Sequence, residues 1–317
     1  MGSISSRAFD KVRTKMNGQI IGVAATGEIA VGLVENNAVT GKLRIYPPAG
    51  AVRERGDEIH SMPMDEIAEN IAQTISDHCA EHEANPAAVG VGFPGIIRNG
   101  VIEESPNLKQ AKGARLGESL TSALANRGIN APVAIFNDAD AMAAGVAATR
   151  GQLEKLIRVW TLGHGIGFGR YPHGEGPWEG GHTIVTLDPK ETFCGCGGWG
   201  HLEGIMGHRA MRLRFLDLEP DEIFANAAAG DARCLEFERL WHRALAAASA
   251  TSIHLEGPGK FFITGPNARF VKVGMLSQYL HEMVSMTPLQ GSVFEVTPMS
   301  TEIAVIGAAV NADRATR

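Results

Sequence analysis

What this chain has little of narrows its function before any motif does. Its 317 residues hold four cysteines, too few for the disulfide framework of a small secreted domain. Cys79 and Cys234 fall in segments with helical spacing and read as buried thiols. No apolar run approaches the ~20 residues of a membrane span. The opening "MGSISSRAFDKVRTKMNGQ" scatters charge where a secretory signal would have an apolar core, so it reads as a disordered leader. A basic excess is missing too: Lys and Arg number 29 against 35 Asp and Glu, a net charge of −6. That argues against a nucleic-acid partner, which calls for a basic stripe. No low-complexity linker divides the chain. These absences give a cytoplasmic protein with neither membrane nor nucleic acid as partner.

What is present is an α/β pattern. "QIIGVAATGEIAVGLVEN" reads as two apolar strands joined by a tight turn at Thr26-Gly27, and "AVTGKLRIYPP" as a third strand stopped by Pro47-Pro48. A helix follows at "MDEIAENIAQTISDHCAEH", with Asp65 and Glu66 near the end where the helix dipole favours acids. Strand "AAVGVGFPG", helix "LGESLTSALANRG", strand "VAIFNDAD" and helix "AMAAGVAATR" complete the first half. The pattern then restarts at "KLIRVWTLGHGIGFGRYP" and ends with the helix "TEIAVIGAAVNADRAT". Two similar openings suggest an internal duplication, and two α/β lobes facing each other across a cleft.

Three constellations carry chemistry. In "CGCGGWGHLE", Cys194, Cys196 and His201 fall close together, and "EGGH" places Glu179 and His182 shortly before. Two thiolates and two imidazoles suit tetrahedral zinc. The alternatives are a redox pair, which more often spaces its cysteines C-x-x-C, and a glycine loop with incidental thiols. In "FNDADAMAAG", Asn137 and Asp138 end an apolar strand before a helix, where open α/β folds collect catalytic groups. Asp138 is a general base there, or else the cap of the following helix. In "TLGHGIGFG", glycines at 163, 165, 167 and 169 fit a turn that cradles phosphate, or reflect close packing alone. "ITGPNARF" puts Gly265 at another strand end where backbone can approach a nucleotide.

In this order, the segments resemble the ROK family of sugar kinases and repressors, within the actin-like/hexokinase-like ATPase superfamily. "VGVGFPGIIRNGVIEESPNL" is similar to the family's Gly-x-Pro-Gly and Pro-Asn-Leu segments, and "FNDADAMAAG" to its Asn-Asp strand end. "TLGHGIGFG" resembles its second phosphate loop, "EGGH" its Glu-x-x-His, and "CGCGGWGHLE" its cysteine-rich zinc signature. The resemblance implies two actin-like, RNase H-like lobes around a central cleft: residues 1–137, joined by a final helix at about 300–317, and residues 138–299 with the zinc loop. It makes Asp138 the base that activates a sugar 6-hydroxyl, and Asn107, Asn137, Asp138, Glu179, His182 and Glu203 the sugar ligands. Structural zinc would sit on His182, Cys194, Cys196 and His201. The nucleotide, bringing Mg²⁺, would meet Thr26, Gly27, Gly163, His164, Gly165 and Gly265. A homodimer is expected on the same ground.

The chain departs from the family pattern on its phosphate side. Where the family reads Asp-x-Gly-Gly-Thr-Lys, this chain has "VAATGEIAVG", with Ala24 in the aspartate's place and no lysine after. Glu28 and Asp140 are the nearby carboxylates that could stand in, and His164 replaces a customary Thr or Ser. His201 replaces the third cysteine of the zinc signature. Two functions fit: an ATP-dependent hexose kinase acting on a glucose-like sugar or hexosamine, or a sugar-binding relative without phosphoryl transfer. A DNA-binding repressor does not fit so acidic a chain with so short a leader.

Overall fold

A computed structural model describes residue 16, residues 18–48, residue 59 and residues 61–106, 108–174 and 179–317. Most of the leader and Asn107 therefore lie outside the described residues.

The first half builds β1 (Ile20–Ala25), β2 (Ile29–Glu35), β3 (Ala38–Tyr46), α1 (Met64–Glu81) and β4 (Ala88–Phe93). A small hairpin, β5 (Ile96–Arg98) and β6 (Val101–Glu104), then leads to α2 (Leu116–Ala125), β7 (Val133–Asn137) and α3 (Asp138–Thr149). The second half builds β8 (Ile157–Leu162), β9 (Ile166–Tyr171), α4 (Leu202–Met206), α5 (His208–Arg214), α6 (Pro220–Ala228) and α7 (Ala232–Glu256). It closes with β10 (Lys260–Thr264), α8 (Val273–Met283), β11 (Val293–Val296) and α9 (Thr301–Ala315).

Among the described residues the two larger sheets run β3-β2-β1-β4-β7 and β11-β10-β8-β9. In each, an antiparallel hairpin is followed by two parallel strands, so β2-β1-β4-β7 and β9-β8-β10-β11 repeat one topology. The repeat hinted at by the two glycine-turn openings is thus present in the sheet order; only β3 lacks a counterpart.

Both sheets are covered on both faces, which is why their strands read as nearly unbroken apolar runs. On one face of the first sheet, Ile21, Val23, Val31, Leu33, Val89 and Val91 pack with α1 and α2. The other face is made mostly of small residues, including Gly22, Ala24, Ala30 and Gly90, with Ile20 and Val34 beside them, and receives α9. In the second sheet β8 and β9 receive α3, and α3 and α9 pack directly on each other, so a middle core lies between the sheets. These contacts are close enough to require glycine. A Cβ on Gly145 would fall 1.8 Å from the Ile303 carbonyl oxygen, and one on Gly307 would fall 1.7 Å from that of Ala141. The second lobe's core gathers Trp160, Phe168, Trp241 and Phe261 with α4 to α8. Cys79 and Cys234 are buried free thiols, as their helical segments imply.

Candidate functional site

The described candidate residues stand at the carboxyl ends of strands and on the chain from the end of β9 to the first turn of α4. Asn137 ends β7 with extended backbone (φ −60°, ψ 142°), and its side-chain oxygen accepts from Ala139 N at 2.8 Å. Its Nδ2 donates to the Gly95 carbonyl at 2.9 Å. Asn137 is therefore the helix cap and ties the loop after β4 to α3. Asp138 is already helical and half-buried, so the capping alternative for it falls away. Burial pushes its carboxyl up from 3.8 to about 6; the charge of Asp140 adds to this, while the Ala139 and Asp138 N–H groups oppose it. Such a carboxyl is ionised at pH 7 yet more basic than an ordinary aspartate, as a general base requires.

Glu179 precedes the 3-10 turn Gly180–His182 and is exposed. Its carboxyl lies above the usual range, first through desolvation and then through the charges of Glu203, Asp138 and Asp140, with His182 opposing. One group that feels these four neighbours puts them within electrostatic reach of a common point. Glu203, in the first turn of α4, is held from two sides. Its Oε2 accepts from Ile166 N at 3.0 Å, and its Oε1 lies 3.6 Å from the Cys194 thiol.

Backbone pairing explains how His182 reaches the cysteine loop. Val185 N donates to Gly200 O at 2.8 Å, Leu202 N donates to Thr183 O at 3.0 Å, and Ile184 bridges His201. The His182 and His201 rings consequently stack, with centroids 5.2 Å apart and planes 8° from parallel. Glycine is needed here: Gly200 has φ +71°, and a Cβ on Gly198 would fall 2.3 Å from the His201 ring. One ligand atom each from His182, Cys194 and Cys196 falls within a 4.8 Å set. The two sulfurs are 3.3 Å apart, and His201 Nδ1 is 3.3 Å from Cys196 Sγ. Two sulfurs on one tetrahedral zinc stand ~3.8 Å apart, so this donor set needs little movement to close on a metal. Burial pushes the Cys194 thiol up to about 12 and holds His201 below its ordinary range, aided there by His182.

In the first of the turns expected to meet phosphate, between β1 and β2, Thr26 N donates to Glu28 O at 3.3 Å, with Thr26 and Gly27 exposed. Ala24 points its methyl into the middle core, so that position supplies no carboxylate. The four glycines of "TLGHGIGFG" divide into two roles. Gly163 and Gly165 shape the β8–β9 turn, with Gly163 N on Gly165 O at 3.0 Å and His164 exposed between them. Gly167 and Gly169 serve packing: a Cβ on Gly169 would fall 1.8 Å from the Ala139 carbonyl oxygen. Gly265, at φ +98°, lets the turn after β10 pass the end of β8, where a Cβ would fall 2.5 Å from Leu162 O. Two residues absent from the sequence-based site, Asn267 and His173, belong to its frame, together with Asp140, which the sequence offers as a stand-in carboxylate. Asn267 is buried and donates from Nδ2 to Gly163 O at 3.1 Å, within the "ITGPNARF" stretch that signalled the turn. Asp140 and His173 pair at 3.3 Å. Both oxygens of Asp140 are engaged, one by Arg170 N at 3.0 Å, so Asp140 is not poised to replace the missing aspartate.

The whole arrangement has known relatives. A ROK hexokinase from Thermus thermophilus aligns with a TM-score of 0.75 and 23% identity, over 94% of this chain and 99% of that one. A ROK glucokinase from Streptomyces griseus, solved with glucose and AMPPNP, aligns with a TM-score of 0.64 and 21% identity, over 94% of this chain and all of the other (100%). These bear out the actin-like α/β fold. A glucokinase of Pyrobaculum calidifontis is 29% identical over 218 residues, which is 64% of this chain and 67% of that protein. The ROK family model matches residues 50–314, and on that match the chain belongs to the ROK family.

Proposed function

We propose that the protein is an ATP-dependent sugar kinase that phosphorylates the 6-hydroxyl of a glucose-like hexose or hexosamine. The observation that carries this is Asp138: a half-buried carboxyl at the first turn of α3, raised to about 6, within electrostatic reach of Glu179. In the reaction, Asp138 takes the proton of the sugar hydroxyl, the oxygen attacks the γ-phosphorus in line, and ADP leaves with the electrons of the broken P–O bond. Glu179, His182 and Glu203 would hold the other hydroxyls, joined by Asn107 and, beside its capping bond, Asn137. Thr26, Gly27, Gly163, His164, Gly165 and Gly265 would line the nucleotide's path, with Mg²⁺ arriving on the nucleotide.

Zinc would be held by Cys194, Cys196, His182 and His201, and would supply rigidity rather than phosphoryl chemistry. It would fix one nitrogen of His182 and so the ring's orientation toward the sugar. The reading divides the chain at residues 137/138, with the final helix joined to the first lobe, and takes the protein as a cytoplasmic homodimer.

A second reading, a sugar binder without transfer, is favoured by one observation: near its end β1 carries Ala24 where a magnesium-holding carboxylate would stand. Purified protein with ATP, Mg²⁺ and a panel of hexoses and hexosamines separates the two. Sugar-stimulated ADP release is expected; calorimetric sugar binding with ADP release no higher than in its absence would sink the kinase.

A further inference from the structure

Asp140 is among the few carboxylates with 5% exposure or less, and the proposed chemistry leaves it without a task. It stands two residues after Asp138 in the first turn of α3. Its Oδ1 accepts from the backbone N–H of Arg170 near the end of β9 at 3.0 Å. Its Oδ2 lies 3.3 Å from Nδ1 of His173, just past that strand. The His173 ring meets Phe136 edge-on, with centroids 5.8 Å apart at 82°, and Phe136 immediately precedes the Asn137 cap. Gly169 brings the β9 backbone against the Ala139 carbonyl at this same turn. Four contacts thus converge where the helix bearing Asp138 meets the exit of β9, and Glu179 lies six residues beyond His173 in the chain.

We propose that Asp140 and His173 are a positioning pair: they fix the first turn of α3, and Asp138 with it, in register with the chain that leaves β9 toward Glu179 and His182. The proposal rests on the kinase reading of Asp138. A buried carboxylate needs its acceptor oxygens filled, and here both filling groups come from β9 and its exit, so satisfying the charge and aligning the first turn of α3 are one event. Asp140 is shielded from water while His173 is partly exposed, so the Asp140 end of the pair is the one held by the fold. The titratable and charged groups around this point are Asp138 on the same helix, Glu179 across from it, and His173 and Arg170 from β9 and its exit. Arg170 turns its guanidinium to Glu256, and α9 presents the neutral amide of Asn311 to the Asp140 carbonyl at 3.5 Å.

The test uses full-length protein and calorimetric titration with glucose, mannose and N-acetylmannosamine, carrying the tightest binder forward. His173→Phe keeps a ring against Phe136 and removes the donor. It should weaken sugar binding about tenfold, or about 1.4 kcal/mol, and leave ADP affinity within twofold. His173→Gln, which can still donate to Asp140, should recover most of that loss. Asp140→Asn removes one negative charge beside Asp138, so the acid limb of kcat/KM should move to lower pH, which loosened packing alone would not do. Wild-type sugar affinity in His173→Phe overturns the pair, as does His173→Gln failing as badly as the phenylalanine, or an unmoved acid limb in Asp140→Asn. Wild-type protein that binds none of the three sugars removes the kinase reading and the pair with it, a result distinct from wild-type binding that the variants leave unchanged.

Discussion

Replacing Asp138 with asparagine should make the protein more stable while disabling it. In the folded chain the carboxyl is raised from 3.8 to about 6, mainly by burial. A carboxyl whose folded value exceeds its unfolded value makes the native state the better proton binder between the two. Native stability therefore falls as pH rises from about 4 to about 6, and the full penalty persists above that. Two pH units correspond to about 3 kcal/mol at 1.36 kcal/mol each. Asp138 is only half-buried, so solvent screens part of this, and roughly 1–3 kcal/mol is the expected gain. At ~2.1 cal/mol/K per residue, a chain of this length has an unfolding entropy near 0.7 kcal/mol/K, which converts the gain to roughly 2–5 °C in Tm.

Asparagine keeps an acceptor for the Ala139 N–H, so little else in the turn should change. Thermal melts of wild type and Asp138→Asn from pH 4 to pH 8 measure this directly. The difference should be near zero at pH 4, grow through pH 6 and then level off. In parallel kcat should fall about 10²–10⁴-fold, the usual contribution of a positioned base, with sugar affinity within a few-fold of wild type. In the wild type, kcat/KM should drop below pH 6 with unit slope. A variant less stable than wild type at pH 8, or a difference that ignores pH, would refute the account of the strained carboxyl. Equal losses of turnover and sugar affinity would refute its role as base.

Further outcomes follow from other parts of the structure. Gly307→Ala places a methyl 1.7 Å from the Ala141 carbonyl and 2.4 Å from Gly145 N. Although alanine suits helices better by ~1 kcal/mol, this collision between α3 and α9 should cost about 3 kcal/mol or more, read as a lowered denaturation midpoint; an unchanged midpoint would mean the helices do not meet there. His78, buried in α1, accepts the Leu33 N–H at 3.2 Å where the β2–β3 register slips, so His78→Leu should cost about 1–3 kcal/mol by leaving that group unpaired. Because burial holds His78 below its ordinary 6.5, its unfolded form gains a proton first, and wild-type stability should decline below about pH 6.5; the leucine variant should lose this part of the slope, and a retained slope would assign it elsewhere. Elemental analysis should find one zinc per chain, and its removal by a chelator should weaken sugar binding more than it lowers the main melting transition; protein isolated free of metal with undiminished sugar affinity would exclude the zinc.

Much of this was legible in the sequence because the patterns are local. The two hairpins stand out since both faces of their strands are buried, and the final helix shows itself by small residues where it crosses α3. The β5–β6 hairpin carries its own signal, Asn99-Gly100, with positive φ at both residues (51° and 75°), as a two-residue turn demands. By contrast, β11 is a four-residue edge strand, too short for alternation to register. Asp140 and His173 are 33 positions apart, and nothing local tells an aspartate in a helix's first turn which strand will fill its oxygens. The stacking of His182 on His201 is equally non-local, since it depends on the Ile184 bridge.

The one break in the repeat bears on why chemistry gathers in the second half. After β2 the chain turns at once into β3, which covers the hairpin's free edge. After β9 no third strand follows among the described residues, and the chain enters the segment that carries Glu179, His182 and the cysteine loop. The first lobe spends that position on sheet; the second spends it on side chains. The exchange has a mechanical consequence. From residue 179 to residue 201, regular structure amounts to one 3-10 turn and one isolated bridge, too little apolar burial to hold several polar groups in register. Order must come from cross-links instead. The structure supplies three: Glu203 on Ile166 N, the Glu191 carboxylate on Arg214, and the cluster of His182 with two thiols. A metal on that cluster would be the strongest of them, since apparent affinities of structural zinc reach ~10–16 kcal/mol. On the proposed reading, a coordination bond at that cluster would thus take over the holding that a third strand performs in the first lobe.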